Sequence, residues 1–186
     1  MNKRLEIDRK KEIAAIAEKI LKAWDCFFPK FDLIQLLQEK EGFNIVCQNM
    51  QDNTTGFILI NDNEYIPETN THKLIAINDK FKKDFNFLQR RRFIVAHEFG
   101  HALLHKNDDT LYAHRDAEHR KDMFEQEADY FAMCLLMPEE LVRTILGNNF
   151  AKDMNFEKKI TYIANAFNVT EKKACERLKE LGYGIT

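Results

Sequence analysis

Two histidines enclose a glutamate in the run Arg92-Phe93-Ile94-Val95-Ala96-His97-Glu98-Phe99-Gly100-His101-Ala102-Leu103-Leu104-His105. On an α-helix, positions four apart lie about 6 Å apart along the axis and about 40° apart around it, so His97 and His101 can turn their rings to one ion. Zinc accepts neutral imidazole nitrogens at about 2.0–2.1 Å in a tetrahedral arrangement, and a catalytic site keeps one corner for water. Glu98, beside the first histidine, can take a proton from that water. A shuffled chain of this composition would contain His-Glu-x-x-His about 2% of the time, so the setting has to carry part of the argument. Val95, Phe99, Ala102 and Leu103 give the helix an apolar back, which lets it pack in a core while the histidines face a cleft.

Such a site needs a third protein ligand. His105 lies about 12 Å along the axis from His97, too far for one ion to reach both on a regular helix, and is better placed to support another side chain. Zinc enzymes of the zincin type that use a nearby third histidine continue His-x-x-Gly-x-x-His, where this chain has Leu104 and Asn107. Glu118, His119, Glu125 and Glu127 remain. Phe124, Ala128, Phe131, Ala132, Leu135 and Leu136 define the buried stripe of a helix over 123–137. Glu125 lies at the edge of that stripe, and Glu127 is expected to point further round toward solvent. Glu125 and Asp129 share a face, so that one could bind metal while the other holds a ligand histidine by its second ring nitrogen. Periodicity leaves the choice open.

The elements that must position these groups fall into three stretches. Ile13, Ile16, Ala17, Ile20, Leu21 and Trp24 recur at helical spacing over 12–24, and a second helix is predicted over 31–40, with Gly42 just past its end. Residues 43–48, 56–60 and 73–77 are short Ile-, Val- and Phe-rich runs between Asn, Asp, Thr and Gly clusters, which predicts a small antiparallel sheet. Helices return from about Phe85, interrupted by a polar loop over 106–120, and Pro138 suits the first turn of another. Two more are predicted over 156–167 and 170–181. The order of helices, compact sheet, then helices implies an α+β fold. One domain over 1–186 is expected: helices to 42, the sheet over 43–78, metal-site helices over 85–147 and a helical hairpin over 151–186.

Composition narrows the function. Apolar residues make up 45% of the 186 and charged residues 31%, which excludes collagen-like and wholly disordered classes. The longest apolar run, Phe131 to Met137, is far short of the roughly 18 residues of a membrane span. Charges occupy the first ten residues where a signal peptide would turn apolar, so a cytoplasmic location is expected. Cys26, Cys47, Cys134 and Cys175 show no paired spacing and are expected as reduced thiols rather than metal ligands. The 28 Lys and Arg against 30 Asp and Glu give a net charge of −2, with no general attraction to phosphate backbones. Residues 151–186 carry seven basic against five acidic groups, too slight an excess for a dedicated DNA-binding face, so direct nucleic-acid binding by these helices is the weaker reading.

The motif from Arg92-Phe93 to His105, followed by Glu125-Gln126-Glu127-Ala128-Asp129-Tyr130-Phe131-Ala132 and then Leu135-Leu136-Met137-Pro138, resembles the ImmA/IrrE metallopeptidases. The late stretches Ile163-Ala164-x-x-Phe167-x-Val169 and Ala174-x-x-Arg177-Leu178 are similar to that family's C-terminal helices. The resemblance implies a minimal zincin-like domain with a small sheet before the metal helix. It places the third ligand on Glu125, beside His97 and His101, and Asp129 where the family often has Asn. It also implies an intracellular zinc protease, with Glu98 as general base, that cleaves a protein substrate such as a helix-turn-helix repressor, relieving repression of a mobile element or a stress response. A protein that captures the repressor without cutting it is the competing reading. Tyr112, Tyr130, His105 and His114 are candidates to stabilise the oxyanion of peptide hydrolysis.

Overall fold

The computed structural model describes residues 5–50, 54–67, 69–105 and 118–184. Helix α1 (Ile7–Ala23) follows the spacing of Ile13, Ala17 and Leu21, which are fully buried, and begins before the predicted Glu12. Helix α2 (Leu33–Glu41) is capped by Asp32, whose carboxylate accepts from the Gln35 N–H at 3.0 Å, and ends at Gly42.

Strands β1 (Phe43–Gln48), β2 (Gly56–Ile60) and β3 (Lys73–Asn78) form one sheet in the order β1-β3-β2. β3 runs parallel to β1 and antiparallel to β2, with Ile75 opposite both Ile45 and Ile58. The sheet is therefore mixed, which corrects the expectation of an antiparallel one. The cause lies in β3, where Leu74, Ile75, Ala76 and Ile77 have no polar residue between them and are all buried. A strand of that kind needs cover on both faces and takes the centre, keeping β1 and β2 apart although they are neighbours in sequence.

After a short 3-10 turn (Asp79–Lys83), α3 (Phe87–Leu104) packs against β2, β3 and, most extensively, α4 (Glu118–Leu136). α4 also packs against α1, and its Ala128, Phe131, Ala132, Leu135 and Leu136 are fully buried. Leu103, expected in the apolar back of α3, is 40% exposed; Phe93, Ile94, Ala96 and Gly100 are buried instead. Gly100 sets the separation of α3 and α4, since a Cβ there would lie 2.9 Å from Phe131 Cδ1 and 3.3 Å from Ala128 Cα.

Helices α5 (Glu139–Gly147), α6 (Asn149–Lys152), α7 (Phe156–Phe167) and α8 (Glu171–Glu180) complete the described chain. Asn155 and Thr170 cap the last two through their side chains. α8 turns Ala174, Arg177 and Leu178 inward, and Arg177 Nε donates to the Met137 carbonyl at 3.1 Å, so its central basic group braces the core. One apolar cluster runs from Ile13 to Leu181. The fold is α+β, and among the described residues no helix is long and apolar enough to cross a membrane.

Candidate metal centre

One turn of α3 separates His97 from His101, and their Nε2 atoms lie 3.0 Å apart. From α4, Glu125 reaches the same point: its Oε2 is 3.3 Å from His97 Nε2 and its Oε1 is 3.5 Å from His101 Nε2. Two ligand atoms at about 2.0–2.1 Å from a tetrahedral ion stand about 3.3 Å from each other, and each imidazole Nε2 lies near that distance from the other and from one oxygen of the Glu125 carboxylate. Among the described residues this is the cluster able to hold a metal ion. The described cysteines are free thiols apart from it.

The hydrogen bonds behind the rings set which nitrogen carries the proton. His97 Nδ1 donates to Asp129 Oδ1 at 2.8 Å, which leaves Nε2 with its lone pair. His105 Nε2 donates to Glu127 Oε2 at 3.2 Å, so His105 Nδ1 is an acceptor and takes the proton of His101 Nδ1 at 3.1 Å. His101 Nε2 then also presents a lone pair. Two lone pairs and a carboxylate converging within hydrogen-bond distance repel one another unless a positive charge lies among them, and the donor set fits a divalent cation on that ground.

The electrostatics agree. Burial disfavours a charged His97 ring, but Asp129 and Glu125 outweigh it and lift the ring to about 10. That proton and a cation compete for the same lone pair. Glu125 is held far below the usual carboxylate range by His101 and His97. Asp129 is also lowered: burial opposes its charge, and His97 and Lys173 more than compensate. Burial lowers His105, which favours the neutral ring that the hydrogen bonds require. Glu98 is buried between the histidine helix and β2, and burial raises its carboxyl against the pull of His97 and His101. A Cβ on Gly56 would lie 3.2 Å from Glu98 Oε1 and 2.8 Å from Ile94 Cγ2, so this glycine leaves the space in which the carboxyl sits.

The structure thus brings His97, His101, Glu125 and Asp129 together, with Glu98 alongside. Glu127 departs from expectation. It is 5% exposed rather than turned to solvent, because Arg9 in α1 grips both its oxygens, at 2.9 and 2.6 Å. Its position three after Phe124 and four before Phe131 carried the signal of a buried stripe. Lys173 was also missed; its Nζ lies 3.0 Å from Asp129 Oδ2 and 4.3 Å over the Phe93 ring. Of the oxyanion candidates, Tyr130 donates to Glu180 at 3.2 Å, and both nitrogens of His105 are taken by His101 and Glu127. Tyr112 and His114 lie outside the described residues, as do the side chains of Glu118 and His119.

Comparison with known proteins places this geometry in context. The family model of the IrrE N-terminal-like domain, a peptidase family, matches residues 39–179. Metallopeptidase ImmA of Bacillus subtilis is 30% identical over 111 residues, covering 59% of this chain and 57% of its own length. The radiation response metalloprotease IrrE of Deinococcus deserti is 38% identical over 89 residues, covering 46% of this chain and 28% of its own length. Among solved structures, a Mycobacterium tuberculosis transcriptional regulator superposes with a TM-score of 0.61 at 19% identity, over 92% of this chain and 58% of that one. At that identity the likeness is one of fold. The chain spans little more than half the length of the Bacillus relative and about a quarter of the Deinococcus one.

Proposed function

The chain belongs to the IrrE N-terminal-like domain family of peptidases, and from that premise we propose that it is a zinc-dependent endopeptidase of the ImmA/IrrE type. His97, His101 and Glu125 hold the metal, and Asp129 orients His97. The observation that carries this reading is the convergence of two Nε2 atoms 3.0 Å apart with the Glu125 carboxylate, whose Oε2 is 3.3 Å from His97 and whose Oε1 is 3.5 Å from His101, and with the buried Glu98 on the same helix turn. Two imidazoles and one carboxylate are a donor set suited to zinc, which when bound polarises a carbonyl and brings the pKa of a water down to about 7. Glu98 takes the proton of the attacking water and passes it to the leaving amine. Its burial supports this role, because a carboxyl raised above its ordinary value is both a stronger base when ionised and a competent acid afterwards.

The substrate is a protein, and by the resemblance of its motifs a helix-turn-helix repressor in the cytoplasm. Incubating the purified, zinc-loaded protein with the repressor encoded nearest to it tests this. Fragments from the parent and none from Glu98→Gln, with metal content equal in both, are expected. Relief of repression that survives Glu98→Gln would instead establish capture without cleavage.

A further inference from the structure

We propose that Arg9 is a positioning residue for the metal ligand His101, acting through Glu127 and His105, so that α1 is part of the metal centre; this rests on the metal-centre reading above. Arg9 lies outside the matched segment 39–179 and 118 residues from Glu127. Its guanidinium meets the carboxylate as a fork, Nε to Oε1 at 2.9 Å and Nη2 to Oε2 at 2.6 Å, the arrangement that fixes orientation as well as charge. Glu127 is 5% exposed, and the fork leaves its carboxylate one orientation, with Oε2 turned to His105.

The ionised carboxylate dictates the next link. Being an acceptor only, it requires the proton of His105 on Nε2, 3.2 Å away. The His105 ring cannot swivel, since it is 4% exposed and stacked on Phe124 with centroids 4.1 Å apart. Its Nδ1 is therefore an acceptor, and it takes the His101 Nδ1 proton at 3.1 Å. That bond fixes both the tautomer and the rotation of His101 that aim Nε2 at Glu125. If Arg9 is removed, the Glu127 carboxylate loses the fork that holds Oε2 toward His105. His105 then has no fixed acceptor at Nε2, the orientation that offers Nδ1 to His101 is no longer enforced, and the ligand ring is free to turn. His97 has a shorter version of the same device, with Asp129 bonded to the ring and Lys173 behind it. The two ligand histidines are thus held by cations from opposite ends of the described chain.

Zn2+ affinity measured by competition with a chromogenic chelator tests the proposal, alongside the absorption spectrum of the Co2+ form, which reports ligand geometry. Arg9→Met and the nearly isosteric Glu127→Gln are each expected to weaken Zn2+ binding about 10- to 100-fold, the usual cost of removing a partner behind a metal ligand. The double variant should lose no more than the worse single one, because both break one chain. Zn2+ should also slow amide exchange in α1 of the parent and not in Glu127→Gln, since coupling between two sites is reciprocal. Affinities and Co2+ spectra within twofold of the parent, with only the metal-free protein destabilised, would reduce the contact to a helix latch and overturn the proposal. Should Arg9→Met fail to fold, Glu127→Gln decides alone. A parent protein that takes up no Zn2+ overturns the metal-centre reading and this relay with it.

Discussion

Asp129 Oδ1 lies 2.8 Å from His97 Nδ1 although 32 residues separate the two in sequence. Its other oxygen meets Lys173 Nζ at 3.0 Å, so a single carboxylate joins a ligand histidine of α3 to the C-terminal helix α8. Asp129→Ala removes the group that sets the tautomer of His97 and should weaken Zn2+ binding about 10- to 100-fold in a chelator competition. Asp129→Asn keeps an acceptor oxygen and should lose less. Parent-like affinity in Asp129→Ala would mean that Nδ1 finds another acceptor and that the contact has no part in ligation.

Gly100 predicts a second coupling between packing and ligation. A methyl group there meets Phe131, which is fully buried and cannot yield, and the Ala128 backbone behind it. Ala gains about 1 kcal/mol over Gly in a helix interior, whereas overpacking costs about 1–3 kcal/mol, so Gly100→Ala should be neutral to destabilising by roughly 2 kcal/mol. The sharper effect is on metal: moving α4 away carries Glu125 from the histidines, and Zn2+ affinity should fall while affinity-neutral surface variants of similar stability do not. Chemical denaturation and chelator competition on the same preparation separate the two effects.

Much of this arrangement is local in origin and was legible as such. The pairing of His97 with His101 follows from a four-residue step on a helix, and the three strand runs follow from short β-branched segments between turn residues. The order of those strands does not, because it depends on which run can be buried on both faces, a property of the finished packing. Glu125 needed the family resemblance, since it shares its helix face with Asp129 and periodicity does not say which carboxylate binds the metal. Glu127 was misplaced for a physical reason: its position round the helix was read as turned past the stripe toward solvent, and the partner that holds it inward, Arg9, is on a helix 118 residues away. Arg9 itself extends the four-residue series of Ile13 and Ala17, a buried face that ends in a cation.

Gly56, at the start of β2, governs the proposed base rather than the metal. Gly56→Ala would place a carbon 2.8 Å from Ile94 Cγ2, 2.9 Å from the Ala76 carbonyl oxygen and 3.2 Å from Glu98 Oε1. The carbonyl is fixed in the sheet, so the strain falls on the two side chains, and a loss of about 1–3 kcal/mol in stability is expected. Because Glu98 is displaced and the ligands are not, kcat on a cleaved substrate should drop by more than tenfold with Zn2+ affinity changed by less than threefold. Equal losses in both would show that β2 shifts α3 as a whole.

Metal removal gives a test that needs no substrate. A ligand that binds only the folded chain adds about 2.7 kcal/mol at a free concentration 100 times its Kd. For a protein of this size each kcal/mol moves Tm by about 2–4 °C, so Zn2+ at that level should raise Tm by roughly 5–10 °C over the chelator-treated protein. Glu125→Ala removes one of the three converging ligands, and since its side chain is 46% exposed the change leaves little cavity behind. The variant should unfold near the metal-free parent and gain almost nothing from Zn2+ at the same concentration. An undiminished Zn2+-dependent rise in Glu125→Ala would take that carboxylate out of the site, and the third ligand would then have to be sought among Glu118 and His119.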